Sequence, residues 1–212
     1  MPKIPTFEYE QQYWDQGISM VAGIDEVGMG ALAGPVVAGA VVFDGSGDNA
    51  GRELLRDSKT LSAKQREKAS LWIKENALSW SIGQASVDEI FEINIRQASH
   101  LAMRRAVKAL KIKPDILLID GNPADIHPDI PAVNIIKGDN ISCSIAGASI
   151  LAKVYRDNIM TEMALEYPAY RFDSHKGYAS ATHKEALATH GVTDHHRKGY
   201  APIASLIRPI PE

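Results

Sequence analysis

The first half of the chain alternates between short apolar runs and amphipathic stretches. Ile18-Ser-Met-Val-Ala-Gly-Ile24 leads into Asp25-Glu26, and a second apolar run covers 34–43, with glycines between them. This spacing predicts two early strands forming a hairpin. Asp44-Gly-Ser-Gly-Asp48 supplies the turn beyond them. Ser62, with Gln65 three residues on, makes a capping box and predicts a helix over about 63–77. A strand near 80–86 leads to a second box, Ser86-Val-Asp-Glu89. After it, Ile90, Ile93, Gln97, Leu101 and Val107 share one helical face, which predicts one long helix reaching towards Leu110.

Pro114 then introduces Asp115-Ile-Leu-Leu-Ile119, a continuous apolar run suited to a strand covered on both faces and ending at Asp120-Gly-Asn. A further strand over 132–136 ends at Lys137-Gly-Asp139. The stretch 142–156 is rich in Ala, Gly and Ser, with Ile145, Ile150, Leu151 and Val154 as larger packing residues, and reads as a helix lying close against a sheet. From Tyr167 the chain becomes polar, His-rich and punctuated by proline, which predicts a small helical extension over about 167–212. Alternating strands and helices give an α/β fold class: a mixed β-sheet flanked by helices, as one domain over 1–212.

Composition narrows this picture. With 212 residues, 45% of them hydrophobic, one core of ordinary size can be buried. No apolar run approaches the roughly 18 residues that a membrane span needs. The lead MPKIPTFEYEQQ lacks the apolar stretch of a secretory signal, so we expect a cytoplasmic protein that does not engage a membrane, and a monomer. Cys143 is the single cysteine, which excludes an internal disulfide and a cysteine-based zinc cage. A net charge of −3 means that any contact with nucleic-acid phosphate must be local. His183, His190, His195 and His196 suggest a metal cluster, but they show no fixed ligand spacing, and surface histidines are the simpler expectation. No Ser-His-Asp arrangement is visible, and the Gly-x-Gly segments lack the strand-glycine-helix context of a nucleotide site.

The sharpest chemical feature is that three predicted strands finish on acid: Asp25-Glu26, Asp120 and Asp139. Asp before Gly is common in turns, yet the Asp25-Glu26 pair has no capping duty that requires both carboxyls. If the strands are neighbours, their acids converge on one edge and repel until cations neutralise them. Oxygen-only ligand sets favour hard divalent ions, Mg2+ or Mn2+, and a pair of such ions suits phosphodiester hydrolysis.

These residues sit in blocks that resemble ribonuclease HII. Gly23-Ile-Asp-Glu-Val-Gly-Met-Gly-Ala-Leu-Ala-Gly-Pro-Val-Val37 is similar to the family's first block. Arg56-Asp-Ser-Lys59, Asn94-Ile-Arg-Gln-Ala98, Ile119-Asp-Gly121, and Lys137-Gly-Asp139 leading into Ser144-Ile-Ala-Gly-Ala-Ser-Ile-Leu-Ala-Lys153 follow in the family's order. Arg156-Asp157, Ser174-His-Lys-Gly-Tyr178 and His196-Arg197 complete the set over about 18–203. The resemblance implies a ribonuclease H-like fold and four metal-binding, catalytic acids: Asp25, Glu26, Asp120 and Asp139. It implies that Asp25 bridges both ions and that Asp157 is a supporting or structural acid. The implied substrate is an RNA/DNA hybrid or duplex DNA containing ribonucleotides, cut on the 5′ side of the ribonucleotide to leave a 3′-hydroxyl and a 5′-phosphate. Gly28, Met29, Gly30 and Tyr178 match the positions that read the 2′-hydroxyl, the group that separates RNA from DNA. Lys59 and Lys176 are candidate phosphate contacts.

The chain departs from the family pattern at several places. Met29 stands where the family has Arg between two glycines, and Met neither carries charge nor donates hydrogen bonds. Ala31 replaces a usual Pro, Gly147 interrupts the Ala-rich helix start, and Gly199-Tyr200 replaces a common Ser-Phe. These changes leave the acids intact and bear on affinity and junction specificity. Three rivals are weighed: another two-metal nuclease on the same fold, a catalytically weak nucleic-acid-binding protein on this scaffold, and a glycosidase acid pair. The last fails because adjacent strand residues face opposite sides, whereas glycosidase carboxyls face each other about 5–9 Å apart.

Overall fold

The computed structural model describes residues 4–45, 51–121 and 126–207. The end of the turn expected over 44–48, and Asn122 after Asp120-Gly121, lie outside the described residues. After a short helix α1 (Glu8–Trp14), strands β1 (Val21–Val27) and β2 (Val36–Val42) form the antiparallel hairpin that the pattern predicted. Helix α2 (Ala63–Asn76) starts on the Ser62/Gln65 capping box and leads to β3 (Ser79–Ala85), antiparallel to β2. Helix α3 (Val87–Ala109) starts on the Ser86/Glu89 box. Strands β4 (Ile116–Asp120) and β5 (Ala132–Ile135) add in parallel on the other side of β1, so the sheet order is β3-β2-β1-β4-β5.

β1 and β2 are buried along nearly their whole length, whereas the edge strand β3 alternates buried and exposed positions. One face of the sheet, carrying Ala22, Ile24, Ala38 and Ala40, packs against α3 through Ala98, Ala102 and Ala106. The opposite face receives α4 (Cys143–Glu166), whose small residues let its backbone rest on the strands. A Cβ at Gly23 would lie 2.1 Å from the Ser144 carbonyl carbon, and one at Gly39 would lie 2.3 Å from the Ala148 carbonyl oxygen. No other residue permits that approach. Gly147 is less constrained: a Cβ there would meet the Phe43 ring at 3.3 Å.

Four expectations need correction. Helix α4 extends ten residues beyond the 156 expected, because Met160 and Met163 continue its buried face into the C-terminal extension. Helix α3 is broken at Asn94, whose φ of 65° and ψ of 164° are not helical. The Asn94 side chain accepts from the N–H groups of Arg96 and Gln97, at 3.0 and 3.2 Å, and so recaps the helix in mid-course. Asp139 does not end a strand: it lies in a single 3-10 turn, Gly138–Asn140, between β5 and α4. The fourth concerns the histidines. The extension comprises α5 (Phe172–His175), α6 (Ala181–His190) and α7 (Ala201–Ile207), packed on the end of α4 around Phe172, Leu187 and Ile203. His183 and His196, expected at the surface, are fully buried there, with their Nε2 atoms 3.1 Å apart and His175 stacked on His183. Each anchors a loop, His183 to the Tyr178 carbonyl and His196 to Thr193.

Candidate active site

The strand register places the first two acid groups side by side. Ile24 of β1 pairs in parallel with Ile119 of β4, so Asp25 and Asp120 are the next residues on adjacent strands, at the same end of the sheet. Asp120 Oδ1 accepts from the Gly138 N–H at 2.6 Å, which ties β4 to the turn that carries Asp139. Asp139 is buried, accepts from the Asn140 side chain at 2.7 Å, and has Lys59 Nζ 3.8 Å from its other oxygen. Asp25 is buried, accepts from the Glu26 N–H at 2.7 Å, and is hydrogen-bonded by the Ser149 side chain of α4.

Burial and mutual repulsion dominate the electrostatics. The Asp25 carboxyl is held well above its ordinary pKa by burial, and then by the charges of Glu26, Asp120 and Asp139. Glu26 is pushed up to about 7, by burial first and by Asp120 second. Asp120 is also raised, by burial and by Asp139, against the pull of the Gly138 N–H. Partial burial lowers the Lys59 ammonium, but Asp139, Asp25, Asp57 and Asp120 together bring it above its usual value. Such a set favours a cation among the acids. Among the described residues no three carboxylates, histidines or cysteines enclose a single point as a ready-made cage. An ion here would therefore take further ligands from water and phosphate oxygens, as Mg2+ commonly does.

Two clefts meet at the acids, with Lys59 on the wall of both. One, of about 830 Å3, is bordered by Asp120, Lys137 and Asp139. The other, of about 660 Å3, is bordered by Asp25, Glu26, Gly28, Met29, Gly30, Asp157 and Tyr178. Gly28 has φ of +98°, and a Cβ on it would strike Arg156 Nε at 2.3 Å. Arg156 is wholly buried and donates to the carbonyls of Ala33, Pro35 and Lys176 at 2.9–3.0 Å, joining the 28–35 loop to the 176–178 loop. Its guanidinium lies 5.5 Å from the centre of the Tyr178 ring, which is 37% exposed towards the cleft. Burial lowers the Arg156 pKa to about 10, still well charged near neutrality.

The structure thus brings together all the acids and loop residues that the sequence singled out. Asp157 is held by Lys153 at 2.7 Å and by Arg66 at 3.3 Å. Lys176 donates to Thr161 at 2.8 Å and lines the cleft. Sequence reasoning assigned no role to Arg66, Ser149, Lys153 or Arg156. The i,i+4 spacing of Lys153 and Asp157 was the available signal for one of them. Arg66 also donates to the carbonyls of Ser58 and Leu61, so it shapes the loop that presents Lys59. That contact crosses from α2 to a preceding loop and has no local signature.

Acids gathered at one end of a mixed β3-β2-β1-β4-β5 sheet, with a helical extension completing the cleft, define a nuclease of the ribonuclease H-like class. The family model described as ribonuclease HII matches residues 22–202. Over 179 residues the chain is 51% identical to ribonuclease HII of Parabacteroides distasonis, covering 84% of this chain and 88% of that one. It is 49% identical over 184 residues to ribonuclease HII of Acinetobacter baylyi, covering 87% and 96%. Among solved structures, ribonuclease H2 from Pyrococcus horikoshii OT3 superposes with a TM-score of 0.75 at 25% identity, covering 88% of this chain and 96% of the other. The chain belongs to the ribonuclease HII family. Its activity is that of a metal-dependent endoribonuclease acting on RNA/DNA hybrids. No helix among the described residues is long and apolar enough to cross a membrane.

Proposed function

We propose that this protein hydrolyses the phosphodiester on the 5′ side of ribonucleotides, in RNA/DNA hybrids and within duplex DNA, leaving a 3′-hydroxyl and a 5′-phosphate. Asp25, Glu26, Asp120 and Asp139 would hold two divalent ions, Mg2+ or Mn2+, in a single catalytic domain whose C-terminal extension forms one wall of the cleft. The observation that carries this reading is geometric: buried Asp25 lies beside Asp120 at the ends of adjacent strands, and the Gly138 N–H holds the turn bearing Asp139 against Asp120. Bound divalent ions supply an activated water on one side of the phosphodiester and stabilise the departing oxygen on the other. Asp25, central among the acids, would hold an ion together with Glu26 and Asp120, with Asp139 contributing from the second cleft.

Substrate reading falls to the residues on the first cleft. The backbone groups of Gly28, Met29 and Gly30 can approach a sugar closely, and the Tyr178 ring can pack on the junction sugar. Lys59, exposed beside Asp139, and Lys176, on the cleft wall, would meet neighbouring phosphates. Asp157 keeps Arg66 and Lys153 oriented rather than joining the acids itself.

Cleavage mapping on matched duplexes carrying one ribonucleotide, several, or none tests the reading, with Asp25→Asn as control. Cutting 5′ of the ribonucleotide by the natural protein, and none by Asp25→Asn, is the expected result. Cutting of the all-DNA duplex would transfer the assignment to a different nuclease, and tight binding without turnover would leave only a binding protein. Met29→Arg restores a donor and a charge at the cleft, and should raise rate or selectivity on the single-ribonucleotide duplex. No gain in either would remove Met29 from substrate reading.

A further inference from the structure

Two donors converge on one backbone carbonyl of the 28–30 loop. The Tyr200 hydroxyl donates to the Met29 oxygen at 2.7 Å and Arg197 Nη1 donates to it at 2.9 Å, while the same Nη1 lies 3.2 Å from the Tyr200 hydroxyl. Neither donor is free to drift. Arg197 is buried and also donates to the carbonyls of Gly34 and Pro35. The Tyr200 ring packs against two hydrophobic clusters and lies 5.4 Å from the Arg197 guanidinium, and its own carbonyl accepts from Ala204 in α7.

The peptide joining Met29 to Gly30 is planar, so its carbonyl and its N–H point in opposite directions. Pinning the Met29 oxygen towards Tyr200 and Arg197 therefore turns the Gly30 N–H away from them. Gly30 borders the cleft, and a Cβ on it would meet nothing within 4 Å. The orientation of a donor at the sugar-reading loop is thus set from the far end of the chain by a hydroxyl that phenylalanine would lack. Met29 itself, 38% exposed, has no charged group with which to fix the loop from the cleft side.

We propose that Tyr200 is a positioning residue for ribonucleotide selection, acting through its hydroxyl on the Met29–Gly30 peptide. This rests on the reading that the 28–30 loop meets the 2′-hydroxyl. Tyr200→Phe removes one oxygen and keeps the packing. In steady-state cleavage with Mg2+, KM for a duplex carrying one ribonucleotide should rise roughly three- to tenfold, the range of one neutral hydrogen bond. The inhibition constant of the same duplex made wholly of DNA should stay unchanged. Gly30→Ala, which adds a methyl in open space on the cleft wall, serves as the control on the loop and should also erode the KM advantage. If Gly30→Ala erodes selectivity and Tyr200→Phe does not, the loop reading stands and the Tyr200 proposal is overturned. If neither changes selectivity, the loop reading fails and takes the proposal with it. A parallel weakening of both duplexes by Tyr200→Phe, together with a lowered melting temperature, would make the hydroxyl merely structural and would equally overturn it.

Discussion

Replacing Glu26 by Gln should stabilise the metal-free protein in alkaline solution while lowering its activity. In the folded chain the Glu26 carboxyl titrates at about 7, against 4.5 for an unperturbed glutamate. At about 1.4 kcal/mol per pH unit, that displacement corresponds to about 3 kcal/mol. The folded state binds this proton more tightly than the unfolded state does. The contribution is therefore fully present below about pH 4.5 and is lost as pH rises through about 7. Glu26 retains some exposure and shares its repulsion with Asp25 and Asp120, so we scale the effect to about 1–2 kcal/mol. Urea unfolding in EDTA, repeated at intervals from pH 5 to pH 8, should show Glu26→Gln no more stable than the natural protein at pH 5 and about 1–2 kcal/mol more stable at pH 8. Added Mg2+ should then stabilise the natural protein more than the variant, since a ligand that binds only the folded state shifts unfolding in proportion to its affinity. A variant equally destabilised at both pH values would refute the reasoning, because a strained carboxylate cannot lose its charge without relief.

Three further outcomes follow from the packing. The His196 imidazole is depressed by burial, and then by His183, to about 4, so its contribution to stability should disappear as pH falls from about 6.5 towards 4. Sharing with His183 leaves about 2 kcal/mol. His196→Asn should flatten that acid limb in urea titrations, and equal slopes would rule the histidine pair out as its source. Arg156→Met strips a charged donor from the carbonyls of Ala33, Pro35 and Lys176 and should cost about 3–5 kcal/mol in urea unfolding. A loss under about 1 kcal/mol would mean that water replaces those bonds. Gly23→Ala drives a methyl into the Ser144 backbone and should cost about 1–3 kcal/mol, with slower cleavage because Asp25 lies two residues on. Activity retained in full would show that α4 can shift without moving the acids.

The strand and helix order was legible in the sequence because each element carries a local signal. Alternating and continuous apolar runs announce the strands, and Ser62/Gln65 and Ser86/Glu89 announce two helix starts. Residue types also announced the chemistry, since an Asp-Glu pair behind an apolar strand has few structural uses. Other features depend on partners distant along the chain and left no such trace. Asp139 was legible by residue type but its setting was not: it rides a single 3-10 turn tied by the Gly138 N–H to Asp120, eighteen residues before that glycine, where the pattern put a strand end. His183 and His196 look like surface histidines until α6 and the Ala33–His196 bridge bury them against each other. Arg156 and Arg197 carried no assigned role beyond their place in the family-like blocks, yet both are buried and donate to backbone carbonyls more than a hundred residues away. Hydrophobic periodicity and capping act within a few residues and can be read one segment at a time. Burial of a charge and convergence of carboxylates are properties of the folded whole, settled only when α4 and the C-terminal extension close over the sheet.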